Sequence, residues 1–421
     1  MDLRLKRLVD STRAKFGLQH YRLEGYQFFQ KVNLFNDTEY TLSMEWFPNQ
    51  SAAHAEDQNP EGTAVIEIEL ATQKVKSVVF VNDKSFADGV KFKGKQDMIN
   101  WVEQETGLVY GKQFQMQKDK TGKLSFSECA DGVALYPSGW IEIQCDPQGN
   151  LTTFSAYVHV PNEQQIQKDA YSLTLDKVAE LAKERLILTE IPRFEQEKRV
   201  PVYAIDEIYL SNDRKSEIPY EPIMNEHPFT PIDKTIYWDE PLGKPRKRKV
   251  LHWTDKATIE QAFSCEPSPD SLPITRPEQR MCIHEVRAFL SREYTADSGK
   301  WILKSLYRDQ GYIFAAVRRV QKENPPLQRK LTLVIDRSSL HLCNFIDNNP
   351  FIDSINQFQT TGEVVVTKKA AYEKVKSYIE LKPYYVYDFK QRLYVLCGKL
   401  DCDYAVNASS GEVAMLDELL Q

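Results

Sequence analysis

The sequence predicts an α+β protein of repeated antiparallel sheets, each packed against a helix, and three observations point to that class. A hairpin pattern of strand, turn and strand recurs at residues 139–154, 330–345 and 403–416, and more loosely at 62–81. Within these segments apolar and polar residues alternate, which is the signature of strands with one covered face. Between the hairpins lie segments whose apolar residues fall at helical spacing, and these supply the cover.

The elements follow in chain order. In 62–81, Ile66, Ile68 and Leu70 share one face while Glu67 and Glu69 take the other. A helix is expected over 96–106, stopped by Gly107. In 139–154, Ile141, Ile143 and Cys145 oppose Glu142 and Gln144. Asp146 suits the first position of a type I turn there, Pro147 presets the next dihedral, and Gly149 tolerates a left-handed exit. Thr174 is expected to cap a helix carrying Leu175, Val178, Ala179, Ala182 and Leu186, with Asp176 near its positive end. A helix over 277–292 would bury Cys282, Val286, Phe289 and Leu290. Another starts at Lys368 behind Thr367, carries Ala371, Val375, Tyr378 and Ile379, and is expected to end by Pro383. In 403–416, Asn407 and Gly411 bracket the turn.

At 421 residues the chain exceeds what one core usually supports. Between Pro219 and Pro277 lie ten of the 21 prolines, interleaved with the basic run Lys244, Pro245, Arg246, Lys247, Arg248 and Lys249. Prolines at that density break helices and ladders, so this stretch reads as a connection, interrupted by a short helix after Thr254 with Ile259, Ala262 and Phe263. The expected organisation is an N-terminal α+β domain over 1–218, a Pro-rich connection over 219–276 and a C-terminal α+β domain over 277–421.

A net charge of −6 and a pI near 5.8 argue against a nucleic-acid partner, which would need a broad basic face. The basic run reads as solvated linker rather than as a phosphate contact or import signal. No apolar run reaches the length of a secretory signal or a membrane span, so the expectation is a cytoplasmic protein without membrane insertion. Seven cysteines with no CxxC pair make no disulfide framework and fit a reducing compartment.

The segment 367–416, a helix followed by strands ending in Val406, Asn407, Ala408, Ser409, Ser410, Gly411, Glu412 and Val413, resembles a PepSY-type unit. Asn407 and Ser410 stand where that family usually has Asp and Thr. The longer arrangement, with the segments 311–345 and 139–154, resembles the YcdB/YcdC repeated-domain proteins of Gram-positive bacteria. The resemblance implies tandem PepSY-like units and a binding role, since PepSY units are proposed to restrain peptidases. The chain departs from many such proteins in lacking a signal peptide, which puts an extracellular peptidase target in doubt.

Catalytic motifs are few. His284 and Glu285 begin an HExxH match that fails at Ala288, and the histidines never pair at ligand spacing, so no metal or other cofactor is expected. Cys282 with His284, and Cys397 with Cys402, read as core thiols. Asp297, Ser298, Gly299 and Lys300 read as a turn. Glu67 and Glu69 share a strand face that would serve acid–base work or simply meet solvent. Alternation sends Tyr385, Tyr387 and Phe389 to one face, which if exposed would suit a protein partner. The expected function is a non-enzymatic protein-binding or regulatory module, its partner unidentified and a peptidase by resemblance. The alternative is a hydrolase whose site assembles from dispersed residues near 219–277.

Overall fold

Asp2 starts the first helix by accepting the Arg4 amide at 2.7 Å, and the following Leu5, Leu8, Val9 and Thr12 line one buried stripe. That helix, α1 (Leu3–Lys15), opens a computed structural model that describes residues 1–49, 59–218, 228–242, 247–320 and 328–419. The protein is α+β and divides into two units: residues 1–166 with 254–271, and residues 167–253 with 272–421. Residues of the 219–276 stretch therefore belong to both units.

In unit 1, α1 precedes β1 (Tyr21–Val32), β2 (Thr38–Pro48), β3 (Ala64–Glu69) and β4 (Val75–Phe80), an antiparallel meander. α2 (Lys95–Thr106) then precedes β5 (Phe114–Lys120), β6 (Lys123–Ala130), β7 (Val133–Tyr136), β8 (Trp140–Cys145) and β9 (Leu151–Tyr157). β4 pairs with β9, so the two runs form one sheet, ordered β7-β6-β8-β9-β4-β3-β2-β1 with β5 beside β6. Its inner residues, among them Leu42, Met44, Trp46, Ile66, Val78, Ile141, Ile143 and Phe154, share one core with Leu5, Leu8 and Val9 of α1 and Met98, Ile99 and Val102 of α2. Each large side chain buried there contributes about 1.5–3 kcal/mol.

The hairpin turn read at 146–149 forms as expected. The Asp146 carboxylate accepts the amides of Gln148 and Asn150 at 2.9 and 2.8 Å, and Gly149 has φ of 87°. A Cβ on Gly149 would also lie 2.3 Å from the Phe92 carbonyl oxygen. Gly149→Ala is expected to cost about 2 kcal/mol, read as a lowered thermal midpoint, because the left-handed backbone and the clash act together.

Unit 2 opens with α3 (Leu175–Arg185), β10 (Leu186–Arg193), β11 (Lys198–Ile205), β12 (Ile208–Ser211) and β13 (Glu217–Ile218). β14 (Phe229–Ile236) is an ordered strand within the Pro-rich stretch. That stretch also supplies β15 (Lys256–Ala257), which borders β1, and α4 (Ile259–Ser264), whose Ala262 enters the unit 1 core. α5 (Arg276–Glu293) follows, started by a capping box in which Thr275 and Glu278 each bond the other's backbone. After it come β16 (Trp301–Asp309), β17 (Tyr312–Arg319), β18 (Lys330–Asp336) and β19 (Leu342–Asp347), a meander that β14 extends. α5 covers one face of this sheet, where Cys282, Val286, Phe289 and Leu290 meet Trp301, Leu303 and Leu333.

α6 (Asn349–Asn356) and the short β20 (Gln359–Thr360) lead to α7 (Lys368–Val375). β21 (Glu380–Asp388), β22 (Leu393–Asp401), β23 (Tyr404–Asn407) and β24 (Val413–Met415) complete the chain, with α8 (Leu416–Leu419) behind them. α7 ends earlier than Pro383 suggests. Pro383 lies inside β21 opposite Gly398, because a proline's missing donor is tolerated where the ladder does not call on it. Thr174 precedes α3, but its hydroxyl makes no capping bond.

The order of helix then strands thus begins at α1, α2, α3, α5 and α7. The runs led by α3 and α7 interlock. β11 pairs with β23 (Val202 opposite Asn407, Tyr203 opposite Val406), while β12 pairs with β22 (Ile208 opposite Leu400, Tyr209 opposite Lys399). Each run therefore gives half of its strands to a ladder with the other. Val178 and Ala182 of α3 and Ala371 and Val375 of α7 sit in one shared core with Leu186, Tyr203, Leu400 and Val406.

Candidate functional site

Tyr385 and Tyr387 do share a strand face, but that face is covered. Tyr385 is 7% and Tyr387 3% exposed, Val386 between them is 0% exposed, and Phe389 is half-buried. The Tyr387 ring packs 5.1 Å from that of Tyr394 and 5.0 Å from that of Phe389. These residues are therefore not an open binding surface in this structure. The period-two pattern fixes which residues share a side, and tertiary packing decides whether that side meets water.

The remaining chemical candidates resolve into structural roles. Glu285 turns into the core, where it accepts the Leu342 amide at 3.0 Å and approaches His341 Nδ1 at 3.5 Å, whereas His284 points to solvent. Burial pushes the thiols of Cys282 and Cys397 up to about 12, which leaves them protonated and unreactive near neutrality. Asp297 and Lys300 close a turn at 2.9 Å, with Gly299 at φ of 78°. Among the described residues no three His, Cys, Asp or Glu side chains form a metal-holding group. His54, His227, Lys244, Pro245 and Arg246 lie outside the described residues. A shallow cavity of ≈ 450 Å³ in unit 2 is lined by Lys177, Leu181, Leu210, Arg214 and Lys215 among others.

The described end of the basic run is tied down. The Lys249 amide donates to the Cys343 carbonyl of β19 at 2.9 Å, and the Arg248 guanidinium stands 3.8 Å above the Phe345 ring. Beyond it the Tyr312 hydroxyl accepts the His252 amide at 2.8 Å, and Trp253 packs edge-on to Tyr312.

The outer face of the unit 1 sheet, opposite its helices, is the site with the most chemistry. Register places Gln27, Ser43, Glu67, Ser77, Ser155, Glu142 and Ser125 in one row across seven neighbouring strands. Alternation explains why: most of these are flanked in their strands by inward apolar residues, such as Ile66 and Ile68 around Glu67 or Phe154 and Ala156 around Ser155, while Ser77 follows Lys76 at a bulge in the β3–β4 ladder. Ser77 and Ser155 hydroxyls meet at 3.3 Å, and Lys123 pairs with Glu142 at 2.7 Å. The neighbouring row holds Trp140 opposite Tyr157, 47% and 43% exposed, with ring centroids 5.0 Å apart and planes tilted by 33°.

Glu67 is the unusual member of this face. It is half-buried and raised above the ordinary carboxylate range by burial, against which the nearby Lys76 ammonium pulls. Lys76 itself is bonded to Glu39 at 2.9 Å. Glu39 behaves oppositely: burial disfavours its charge, but Lys76, Asn33 and Lys31 more than compensate, and it is lowered. Burial and the Glu67 charge together raise the Tyr157 phenol, so Tyr157, Lys76 and Glu67 form one electrostatic neighbourhood. The strand alternation showed Glu67 and Glu69 facing outward together. It could not show that Tyr157 and Trp140, far along the chain, join them through the β4–β9 pairing.

Beneath the aromatic pair lies Glu128, 2% exposed, whose carboxylate accepts the amides of Gly139 (3.2 Å), His159 (2.9 Å) and Val160 (2.6 Å). It fixes the start of β8 against the end of β9, and so sets where Trp140 and Tyr157 stand.

No protein-family model matches the chain, and no curated protein does. Among the described residues no helix is long and apolar enough to cross a membrane. Among solved structures, the Bacillus megaterium YpeB C-terminal domain aligns over 81% of this chain and 96% of its own, with 9% identity and a TM-score of 0.25, a similarity too slight to bear on function.

Proposed function

We propose that the protein is a non-enzymatic binding or regulatory module that docks another protein on the outer face of the unit 1 sheet. The observation that carries this reading is the exposed Trp140–Tyr157 pair beside a continuous polar row, on strands held rigid by the core beneath. Exposed aromatics on a rigid face give contact area at small entropic cost, which is what binding needs. The PepSY resemblance of 367–416 adds a peptidase as the class of partner, and the free thiols suit a reducing, cytoplasmic setting. The test is a photo-crosslinking residue at Val79, which lies on this face and is 38% exposed, in the full chain incubated with native lysate. One partner should crosslink there and be lost when Trp140 and Tyr157 are both changed to Ala. No crosslinked protein, or capture unchanged in the double variant, would overturn the reading.

A further inference from the structure

The sheet of β14 and β16–β19 in unit 2 has α5 on one side, where Ile313, Ala315, Leu331 and Leu333 enter its core. Alternation turns Tyr312, Phe314 and Val334 to the opposite side, where with Cys343 of β19 they form a separate apolar cluster. A strap over this cluster, residues 248–253, lies outside any helix or strand. We propose that this face is a groove for an extended segment of a partner protein carrying an aliphatic and an aromatic anchor two residues apart, and that the strap occupies it as an internal competitor.

The strap itself is the template for that occupant. Leu251 packs against the cluster. The Trp253 ring lies 6.4 Å from that of Phe314 with an interplanar angle of 7°, and Phe314 stacks in turn on Tyr307 at 5.0 Å. Between the two anchors, the Tyr312 hydroxyl accepts the His252 amide at 2.8 Å and donates to the His252 carbonyl at 3.3 Å. One hydroxyl can accept and donate at once, and both bonds go to the backbone. The His252 residue is exposed. The groove therefore reads side chains at 251 and 253 and only the main chain at 252. Alternate side-chain anchors joined by main-chain hydrogen bonds are how sheets recognise extended peptides.

The strap is held in a way that lets it leave. Residues 247–250 are exposed, Val250 to 80%, and Trp253 is 50% exposed. Besides the His252 bonds, the Lys249 amide donates to the Cys343 carbonyl at 2.9 Å and the Asn344 side-chain amide donates to the Lys249 carbonyl at 3.1 Å. Few buried contacts and solvent-exposed hydrogen bonds mark segments that open locally without global unfolding. A partner segment competes with this tethered one, so its apparent affinity falls by the fraction of molecules in which the strap is lifted.

The probe is a fluorescent Lys-Arg-Lys-Val-Leu-His-Trp peptide, the sequence of residues 247–253, titrated by anisotropy into the full chain. Leu251→Ser with Trp253→Ser frees the groove and leaves its floor intact. This double variant should bind the peptide at least about tenfold more tightly than the wild type does. Adding Tyr312→Phe should weaken binding about tenfold, since both main-chain bonds are lost. A peptide with Ser for Leu and Trp should not bind, whereas Ala for His should change little. Thermal melts check that each variant is folded. Hydrogen exchange of the wild type needs no variant: the His252 amide should exchange at least about tenfold faster than the amides of β17 and β18. Absence of peptide binding to the double variant, equal affinity of the two proteins, or binding indifferent to the loss of Leu and Trp would overturn the proposal. So would a His252 amide as slow as those of β17 and β18, because the strap would then open only with the sheet. Wild-type dimers that the double variant does not form would make the strap an arm exchanged with a second copy of the chain, and would also overturn it.

Discussion

Glu128→Ala is expected to destabilise unit 1 by about 3–6 kcal/mol, read as a loss of unfolding free energy in urea. The carboxylate accepts the amides of Gly139, His159 and Val160. Removing it orphans them in a site only 2% exposed. Each unsatisfied buried donor costs about 1–3 kcal/mol. Glycine is required beside it, since a Cβ on Gly139 would stand 2.4 Å from the Glu128 carboxylate and 2.5 Å from the Tyr157 carbonyl oxygen.

Glu128→Gln is the informative companion, because its amide keeps one acceptor oxygen and turns the other into a donor facing N–H groups. Burial raises the Glu128 pKa above 4.5, and its three amide donors only partly oppose that. A carboxyl raised on folding contributes stability that is fully present below its unfolded pKa and is lost as pH rises through the folded value. The wild type should therefore lose stability relative to Glu128→Gln as pH rises upward from about 4.5. A difference between the two proteins that stays flat across that range would show that Glu128 titrates as it does in the unfolded chain. Because Glu128 holds β8 against β9, Glu128→Ala should also blunt any binding that depends on Trp140 and Tyr157.

How much of this was legible in the sequence depends on the range of the interactions. The α+β class, the turn at Asp146 and Gly149, the stop at Gly107 and the buried stripe of α5 all follow from neighbours within a few residues, and the structure contains each. The hairpins at 330–345 and 403–416 are likewise local pairs, β18 with β19 and β23 with β24. α1 and the long β1–β2 ladder escaped, since charges spread through Leu3–Lys15 blur its stripe and a bulge between Leu23 and Gly25 breaks the alternation of β1. Site chemistry was less legible. The outward direction of Glu67 is a local fact, but its aromatic neighbours arrive from residues 140 and 157 by strand pairing across the sheet. The burial of Tyr385 and Tyr387 is likewise a tertiary outcome, invisible to any window of sequence.

The interlocked strands make the longest-range demand and give the last prediction. Val406→Asp should strip hydrogen-exchange protection from β10, β11 and β12 as well as from β21 to β24, although those first strands lie some two hundred residues away, about half the 421-residue chain. Val406 is 0% exposed, faces Tyr203 across the β11–β23 ladder and sits in the core that α3 and α7 share. An uncompensated carboxylate there costs at least several kcal/mol, more than a small domain can usually lose. Neither run holds a complete sheet alone: β11 needs β23 and β12 needs β22. Loss of one ladder therefore opens both halves of the shared core. The β16–β19 meander has its own helix, α5, and its own core around Trp301 and Leu333, so its protection should survive. Protection lost from β23 and β24 alone would mean that the two runs fold separately and that their strand exchange contributes little. Protection lost from β10–β12 together with them makes the interlock one cooperative element. Its two parts must then wait for nearly the whole C-terminal half of the chain before either is stable.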